Sequence, residues 1–311
     1  MKRWAIGLGA LLLAALGALT WWFVIDGAAP AQADNAFDLT AYRALVAQDD
    51  PQMLPRDVRM EIVGESRAPA FAAEAGAFGP ERVLAYTAFQ LVGPGGDTII
   101  DAAVDQTTLA EMTRGAGIFD NRAYGRVLGA ITSARHVLLT HEHLDHVMAI
   151  ARHPAPEAIA PRLRLTAPQL AALPEHARDG VLPRPIAEVA AMDFSTPRRI
   201  APGVVAAAAP GHSPGTQVIY VRTPEREYLF IGDIAWMMSS IEHLRGRPRL
   251  IQLLVPGVDP DRPAVLRQIR ALHDLRAADP DLVIVPAHDG AYLQGLANEG
   301  ALIQGFHIPP L

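Results

Sequence analysis

Residues 136–153 read HVLLTHEHLDHVMAIARH, and the hexapeptide His141-Glu142-His143-Leu144-Asp145-His146 at their centre decides how the rest of the chain is read. The apolar run Val137-Leu138-Leu139 predicts a short buried strand, and Val147 to Ile150 predicts the first turns of a helix. Three imidazoles and a carboxylate therefore crowd into one strand-to-helix turn. On an extended segment positions 141 and 143 point the same way, so two imidazoles reach one cation. Asp145 and His146 lie where the backbone turns and aim at a second. Imidazole nitrogen and carboxylate oxygen are donors that Zn²⁺ and similar borderline cations prefer. A solvated polar loop would favour Gly, Ser, Asn and Asp over repeated His.

Working outward, the second half repeats the same logic. Val204 to Ala209 is apolar and runs into Pro210-Gly211-His212-Ser213-Pro214-Gly215, where glycines let the backbone approach closely and re-aim the ring. Tyr228 to Ile231 ends in Gly232-Asp233, and Leu282 to Val285 ends in Pro286-Ala287-His288-Asp289. Each apolar strand delivers one metal-type side chain at its C-terminal end. Upstream, Val83 to Val92, the turn Gly93-Pro94-Gly95-Gly96-Asp97 and Thr98 to Ile100 predict a β-hairpin that ends at Asp101 and Asp105. Val58, Met60 and Ile62 alternate with charged residues as an edge strand would. Leu163 to Leu165 predicts one more strand. Helices are predicted over Leu39–Gln48, Thr107–Thr113, Tyr124–Thr132, Pro168–Leu173 and the amphipathic Arg262–Ala277. Arg67–Gly79 reads as loop, and Pro174–Pro197 as a long surface excursion.

The 311 residues suffice for one large domain or two ordinary ones, and 50% of them are hydrophobic. A formal charge of −6 excludes the clustered basic excess of a nucleic-acid surface. Cysteine is absent, which removes disulfides, thiolate nucleophiles and Cys-ligated zinc. Lys2 and Arg3 precede an uncharged apolar run from Trp4 to Ile25, about 22 residues and long enough to span a bilayer as a helix. Trp21, Trp22 and Phe23 sit at its far end, where an aromatic belt lies. Ala31-Gln32-Ala33 is a small-residue cleavage site. The chain is thus expected to be exported. It is either an inner-membrane-anchored protein facing the periplasm, or a periplasmic or secreted one cut after Ala33. The expected organisation is a signal or anchor over 1–33, a membrane-proximal segment over 34–56 and one domain over 57–311.

The ordered set Thr140-His-x-His-x-Asp-His, Gly-His212, Gly-Asp233 and His288 resembles the metallo-β-lactamase superfamily of binuclear metallohydrolases. The resemblance covers roughly residues 57 to 311. It implies an α/β fold, the αββα sandwich of two mixed sheets face to face with helices outside. Carried onto this chain, it implies one zinc ion held by His141, His143 and His212, and a second by Asp145, His146 and His288. Asp233 bridges them, and a shared hydroxide attacks an ester, lactone or related acyl bond of a small-molecule substrate. Two such ions lower the pKa of a shared water toward neutrality and clamp both attacking and leaving oxygens. Asp145 is additionally placed to handle a proton, and Asp101 and Thr140 are candidates to orient the imidazoles.

The iron-dependent flavodiiron branch carries an acidic residue where this chain has His143. Class B β-lactamases generally lack the bridging aspartate or replace ligands with Cys or Ser. The full set is similar to the lactonase, glyoxalase II and phosphodiesterase branches. Glyoxalase II carries basic residues near its C-terminus, which the tail 305–311 lacks. Acyl-homoserine lactonases commonly place a tyrosine three residues after the bridging aspartate, where this chain has Trp236. That indole is expected to form, with Met237 and Met238, an apolar wall of the pocket. β-Lactamase or phosphodiesterase action on the same metals, and a non-catalytic metal-bound module at the membrane surface, are the alternatives. His136, His153, His176, His243, His273 and His307 are read as structural or surface residues.

Overall fold

In the computed structural model, which describes residues 2–34 and 36–308, two sheets pack face to face. The first contains β1 (Asp57–Ala68), β2 (Arg82–Val92), β3 (Thr98–Ile100), β4 (Ile118–Phe119), β5 (His136–Leu138) and the late β11 (Ile303–Gln304). Its order is β11-β1-β2-β3-β5, with β4 paired to β1. The second runs β10-β9-β8-β7-β6, from β6 (Arg198–Ala201), β7 (Val204–Ala208), β8 (Gln217–Arg222), β9 (Glu227–Gly232) and β10 (Leu282–Pro286). The first half of the chain carries α1 (Lys2–Thr20), α2 (Leu39–Val46), α3 (Ala70–Ala73), α4 (Gln106–Thr113), α5 (Asn121–Ser133), α6 (Leu144–Ala151), α7 (Pro156–Ile159), α8 (Ala167–His176) and α9 (Arg184–Ala187). The rest carries α10 (Met238–Glu242), α11 (Arg249–Leu254), α12 (Arg262–Ala278) and α13 (Gly290–Asn298).

Three apolar layers hold this together. Between the sheets lie Met60, Phe89, Leu91, Ile100 and Leu138 from one side and Val204, Ile219, Val221, Phe230 and Val285 from the other. Phe89 meets Phe230 edge-on with ring centroids 4.9 Å apart, a pairing worth about 0.5–1.5 kcal/mol beyond its buried area. The outer face of the first sheet packs under Leu109, Val127, Ile131, Val147 and Ile150 of α4, α5 and α6. The outer face of the second packs under Tyr42, Ile241, Val265, Ile269 and Leu272 of α2, α10 and α12. This is the αββα arrangement. The strand-end registers bring β5, β7, β9 and β10 to finish on the same edge, which is where the candidate ligands emerge.

Several local expectations are corrected. β1 is not an edge strand, because the two-residue strands β11 and β4 cover its outer side. Elements that short carry no periodic signal. Leu163 makes only an isolated bridge to Val137. Arg67–Gly79 is not open loop, since α3 buries Ala70, Ala72 and Ala73. Pro174–Pro197 is not a pure surface excursion, since it buries Ile186 and Phe194. Apart from these corrections, residues 36–56 pack on the second sheet through the buried Phe37, Leu39, Tyr42 and Val46. Of the C-terminal tail, residues 309–311 lie outside the described residues.

Candidate metal centre

The turn after β5 folds as its sequence dictates. His141 and His143 leave the extended backbone on one side, while Glu142 leaves on the other. Glu142 is a brace and not a ligand candidate: its Oε1 accepts the Gly215 amide at 2.9 Å, and its Oε2 accepts the Ser213 hydroxyl at 2.9 Å. These bonds tie the first turn to the loop that carries His212. A Cβ at Gly215 would stand 2.4 Å from Glu142 Oε2, so only glycine lets the two loops close. Gly232 has the same role before Asp233, with φ of +52° and the Thr140 side chain 2.6 Å from an added Cβ.

The seven candidate residues converge. Their ligand atoms fall into overlapping groups within 4.8 Å: His141, His143, His212 and Asp233; His141, Asp145 and His146; His146, Asp233 and His288. Asp233 divides its two oxygens between them. Oδ1 lies 3.0 Å from His288 Nε2 and 3.3 Å from His146 Nε2. Oδ2 lies 3.5 Å from His212 Nε2 and 3.8 Å from His141 Nε2. His143 Nδ1 is 2.9 Å from His212 Nε2, and Asp145 Oδ2 is 3.4 Å from His288 Nε2.

The outward ring nitrogens are held from behind. His288 Nδ1 sits 2.7 Å from the Ala85 carbonyl, which can only accept, so Nδ1 carries a proton. His146 Nδ1 donates to Asp101 at 2.9 Å, and His212 Nδ1 to Asp259 at 2.8 Å. Thr140 Oγ1 is 3.1 Å from His141 Nδ1 and is itself fixed by Asp101. Asp101 also accepts the Thr140 amide at 2.6 Å. Asp259 in turn forms a buried ion pair with Arg247, whose Nε lies 2.9 Å away.

The electrostatics follow from this packing. Burial pushes the His141 imidazole well below its ordinary value, helped by the adjacent His146 ring. His212 falls to about 4 through burial and the Arg247 charge, despite its bond to Asp259. Burial also opposes a charged His146, but the carboxylates of Asp101, Asp145 and Asp233 outweigh it and raise the ring well above 6.5. His288 is raised likewise, chiefly by Asp233. Burial would raise Asp233, yet the surrounding rings of His288, His141 and His146 hold it well below the carboxylate range. Asp259 falls to about 2 because Arg247 and His212 outweigh its burial.

The donor set fits divalent cations. His141 Nε2 is buried with no hydrogen-bond partner, an arrangement that costs free energy unless something electron-deficient meets it. The nitrogen and oxygen donors are of the kind that zinc and related ions take.

Beside this cluster opens a cavity of about 490 Å³. His143, Asp145, Asp233, Trp236 and His288 form its floor, and Leu84, Tyr86, Met112, Ala172, Val255 and Val258 are among its walls. Met237 is corrected: it faces a separate crevice with Arg82, Val83 and Tyr292. Its backbone is extended, so it points away from the side that Trp236 takes. Met238 is buried and faces the same crevice. Trp236 is more than a wall, since its Nε1 donates to Asp233 Oδ2 at 2.6 Å. His176, read as structural, lines the cavity, with Nε2 3.2 Å from the Glu142 carbonyl. Sequence reasoning also missed Tyr86, Asp259 and Arg247. Tyr86 sits inside the predicted hairpin strand with nothing to distinguish it, and no spacing rule links 247 or 259 to residue 212.

The Metallo-beta-lactamase superfamily model matches residues 83–288, and the chain belongs to that superfamily. This membership makes it a hydrolase by class. Among curated proteins nothing matches. Among solved structures, an N-acyl homoserine lactone hydrolase with the product N-hexanoyl-L-homoserine at its catalytic metal center is similar at 16% identity and a TM-score of 0.57. The match covers 78% of this chain and 97% of that one. A variant of the B. thuringiensis enzyme AiiA with N-decanoyl-L-homoserine bound gives 16% and 0.56, over 78% and 97%. A probable metal-dependent hydrolase from Staphylococcus aureus gives 14% and 0.56, over 76% and 90%. At these identities the likeness is one of fold.

Proposed function

We propose that this chain is a binuclear zinc-dependent hydrolase that opens an ester, lactone or related acyl bond of a small molecule. The observation that carries the reading is the division of Asp233. One carboxylate faces two separate imidazole groups with a different oxygen each, and a single-ion site has no use for that. His141, His143 and His212 would hold one cation, and Asp145, His146 and His288 the other. Bound there, the pair would supply Lewis acidity and a water acidic enough to attack near neutral pH.

The protein's own side chains do the rest. Asp145 is the candidate proton handler, because its carboxylate borders the cavity and is partly exposed. Trp236 fixes the Asp233 carboxylate from the side. Tyr86 brings the one hydroxyl among the cavity walls; it lies 2.9 Å from Ser66 Oγ, and with that serine donating to it the phenol can donate to a substrate oxygen. No Arg or Lys lines the cavity among the described residues, which disfavours a phosphodiester. The apolar walls favour an acyl chain.

The apolar helix α1 is read as an uncleaved anchor facing the periplasm. A cut after Ala33 would remove Asp26, which pairs with Arg249 and whose carbonyl accepts from Arg262 at 2.6 Å. The test of function is acid release from a medium-chain acyl-homoserine lactone by the zinc-loaded full chain, with Asp233→Ala as control. Turnover that vanishes in the control is expected. Full activity in Asp233→Ala would overturn the two-ion reading, and no turnover of any lactone or ester would overturn the substrate class.

A further inference from the structure

The apolar segment Ile6–Ile25 is unburied along its whole length. At its end, the π-helical turn Trp21–Ile25 is fastened to the catalytic domain and not left as a tether. The Arg249 guanidinium lies over the Trp22 ring, 3.6 Å from its centroid, and donates to the Trp22 carbonyl at 3.2 Å. The Gly76 amide donates to the Val24 carbonyl at 2.9 Å, and the Gly246 amide to Gly27 at 2.8 Å. The helix thus leaves the domain beside α11, in a fixed direction.

α11 begins at that same Arg249. Leu253, four residues on, shares its face. Leu253 and Leu254 are 67% and 65% exposed, and Val255 is 45% exposed. Scattered surface leucines need no explanation. These three are consecutive, they follow the Arg249 that packs on the half-exposed Trp22, and no acidic side chain lies between Arg247 and Asp259. The strip then continues into the active-site cavity, because Val255, Pro256, Gly257 and Val258 line it. One apolar path therefore runs from the membrane-spanning helix, along α11, to the cavity.

We propose that α11 and the 253–257 loop dip into the headgroup region of the bilayer that α1 spans, so that the cavity opens onto lipid. The substrate is then one whose acyl chain partitions into the membrane and whose scissile head reaches the Asp233 centre from the interface. Tryptophans at the helix end sit at headgroup depth, and exposed leucines beside them gain free energy there that they do not gain in water. The docking half stands on geometry alone, whereas the substrate half rests on the hydrolase reading above.

The absence of cysteine gives a direct test. Leu254→Cys and, at the far end of the second sheet, Glu225→Cys each introduce one labelling site for an environment-sensitive fluorophore. The full chain is placed in phosphatidylcholine–phosphatidylglycerol vesicles with or without brominated acyl chains. Quenching of the position-254 label several-fold beyond that of the position-225 label is expected. Equal quenching would overturn the docking.

In a second arm, Leu253→Glu combined with Leu254→Glu is expected to raise KM for a dodecanoyl lactone in vesicles by about tenfold and to leave a butanoyl lactone unchanged. Equal effects on both lactones would overturn membrane delivery. If the parent protein turns over neither, the lactone reading fails while the quenching arm still decides the docking.

Discussion

The two sides of the centre solve one problem with different electrostatics. Each has an aspartate behind an imidazole: Asp101 behind His146, and Asp259 behind His212. Both aspartates sit in left-handed backbone, with φ of 64° and 51°. That conformation costs a non-glycine residue on the order of 1–3 kcal/mol and persists only where surroundings enforce it. Asp101 is caged by neutral donors, the Thr140 amide and hydroxyl. Asp259 is instead paired with a buried guanidinium. The imidazoles respond in opposite directions, His146 raised and His212 lowered. The same hydrogen bond is thus set among carboxylates on one side and beside a cation on the other.

Asp233 belongs to both sides, and its removal should have the largest effect. Asp233→Ala is expected to lower turnover by at least about a thousandfold, since it removes a donor from each group at once. Metal analysis should show fewer bound ions per chain. Two retained ions with full activity would sink the shared-carboxylate model.

The paired substitutions Asp259→Asn and Asp101→Asn break the comparison next. Asp259→Asn leaves Arg247 charged and buried with no counter-ion, a loss of about 3–5 kcal/mol in stability. Asp101→Asn strands no permanent cation, because His146 can shed its proton and keeps Asp145 and Asp233 beside it. It should cost about 10–100-fold in metal affinity with a smaller stability loss. Denaturant unfolding and metal titration on both variants separate the two effects. Equal stability losses would mean that the ion pair contributes nothing special.

Most of the ligand set was legible because it hangs on short-range pattern. Four of the seven candidates lie within six residues, and the other three each follow an apolar strand. What was not legible depends on contacts between loops. Glu142 carries no local mark of its role as a brace, which depends on strand alternation turning it toward Gly215. Asp259 and Arg247 have no periodicity to betray them. The αββα architecture came from the family resemblance, whereas the placement of β1 inside its sheet depended on the two-residue strands β4 and β11. Met237 was misplaced because pocket walls were read as a run when the backbone there is extended.

Acidity should separate the sides as well. In the metal-free protein the raised His146 and His288 keep protons to a pH above the ordinary imidazole range, and a cation must displace them. The lowered His141 and His212 are already neutral. Affinity on the Asp145–His146–His288 side should therefore fall as pH drops through those raised values, by about tenfold per pH unit for each proton displaced. The opposite side should stay loaded to lower pH, since burial lowers both His141 and His212 and those rings hold no proton for a cation to displace. Zinc titration at successively lower pH should lose the ion on the Asp145–His146–His288 side first. Simultaneous loss of both would erase the distinction.

The smallest effect is expected at Trp236. Its indole N–H reaches Asp233 Oδ2, the oxygen on the His141–His212 side, and Arg247 lies 5.0 Å from its ring centroid. A carboxylate oxygen has two lone pairs, so this bond and a cation can share it. The indole then acts on the angle of the carboxylate, not on whether it binds. Trp236→Phe keeps an aromatic face toward Arg247 and removes only the donor, which is worth about 1.5–3 kcal/mol at a charged acceptor before relaxation. Turnover should fall by less than about tenfold with KM for a lactone little changed, and metal affinity should weaken on the His141–His212 side alone. A collapse as deep as that of Asp233→Ala would make the indole a member of the catalytic machinery. No change at all would return Trp236 to the role of a wall.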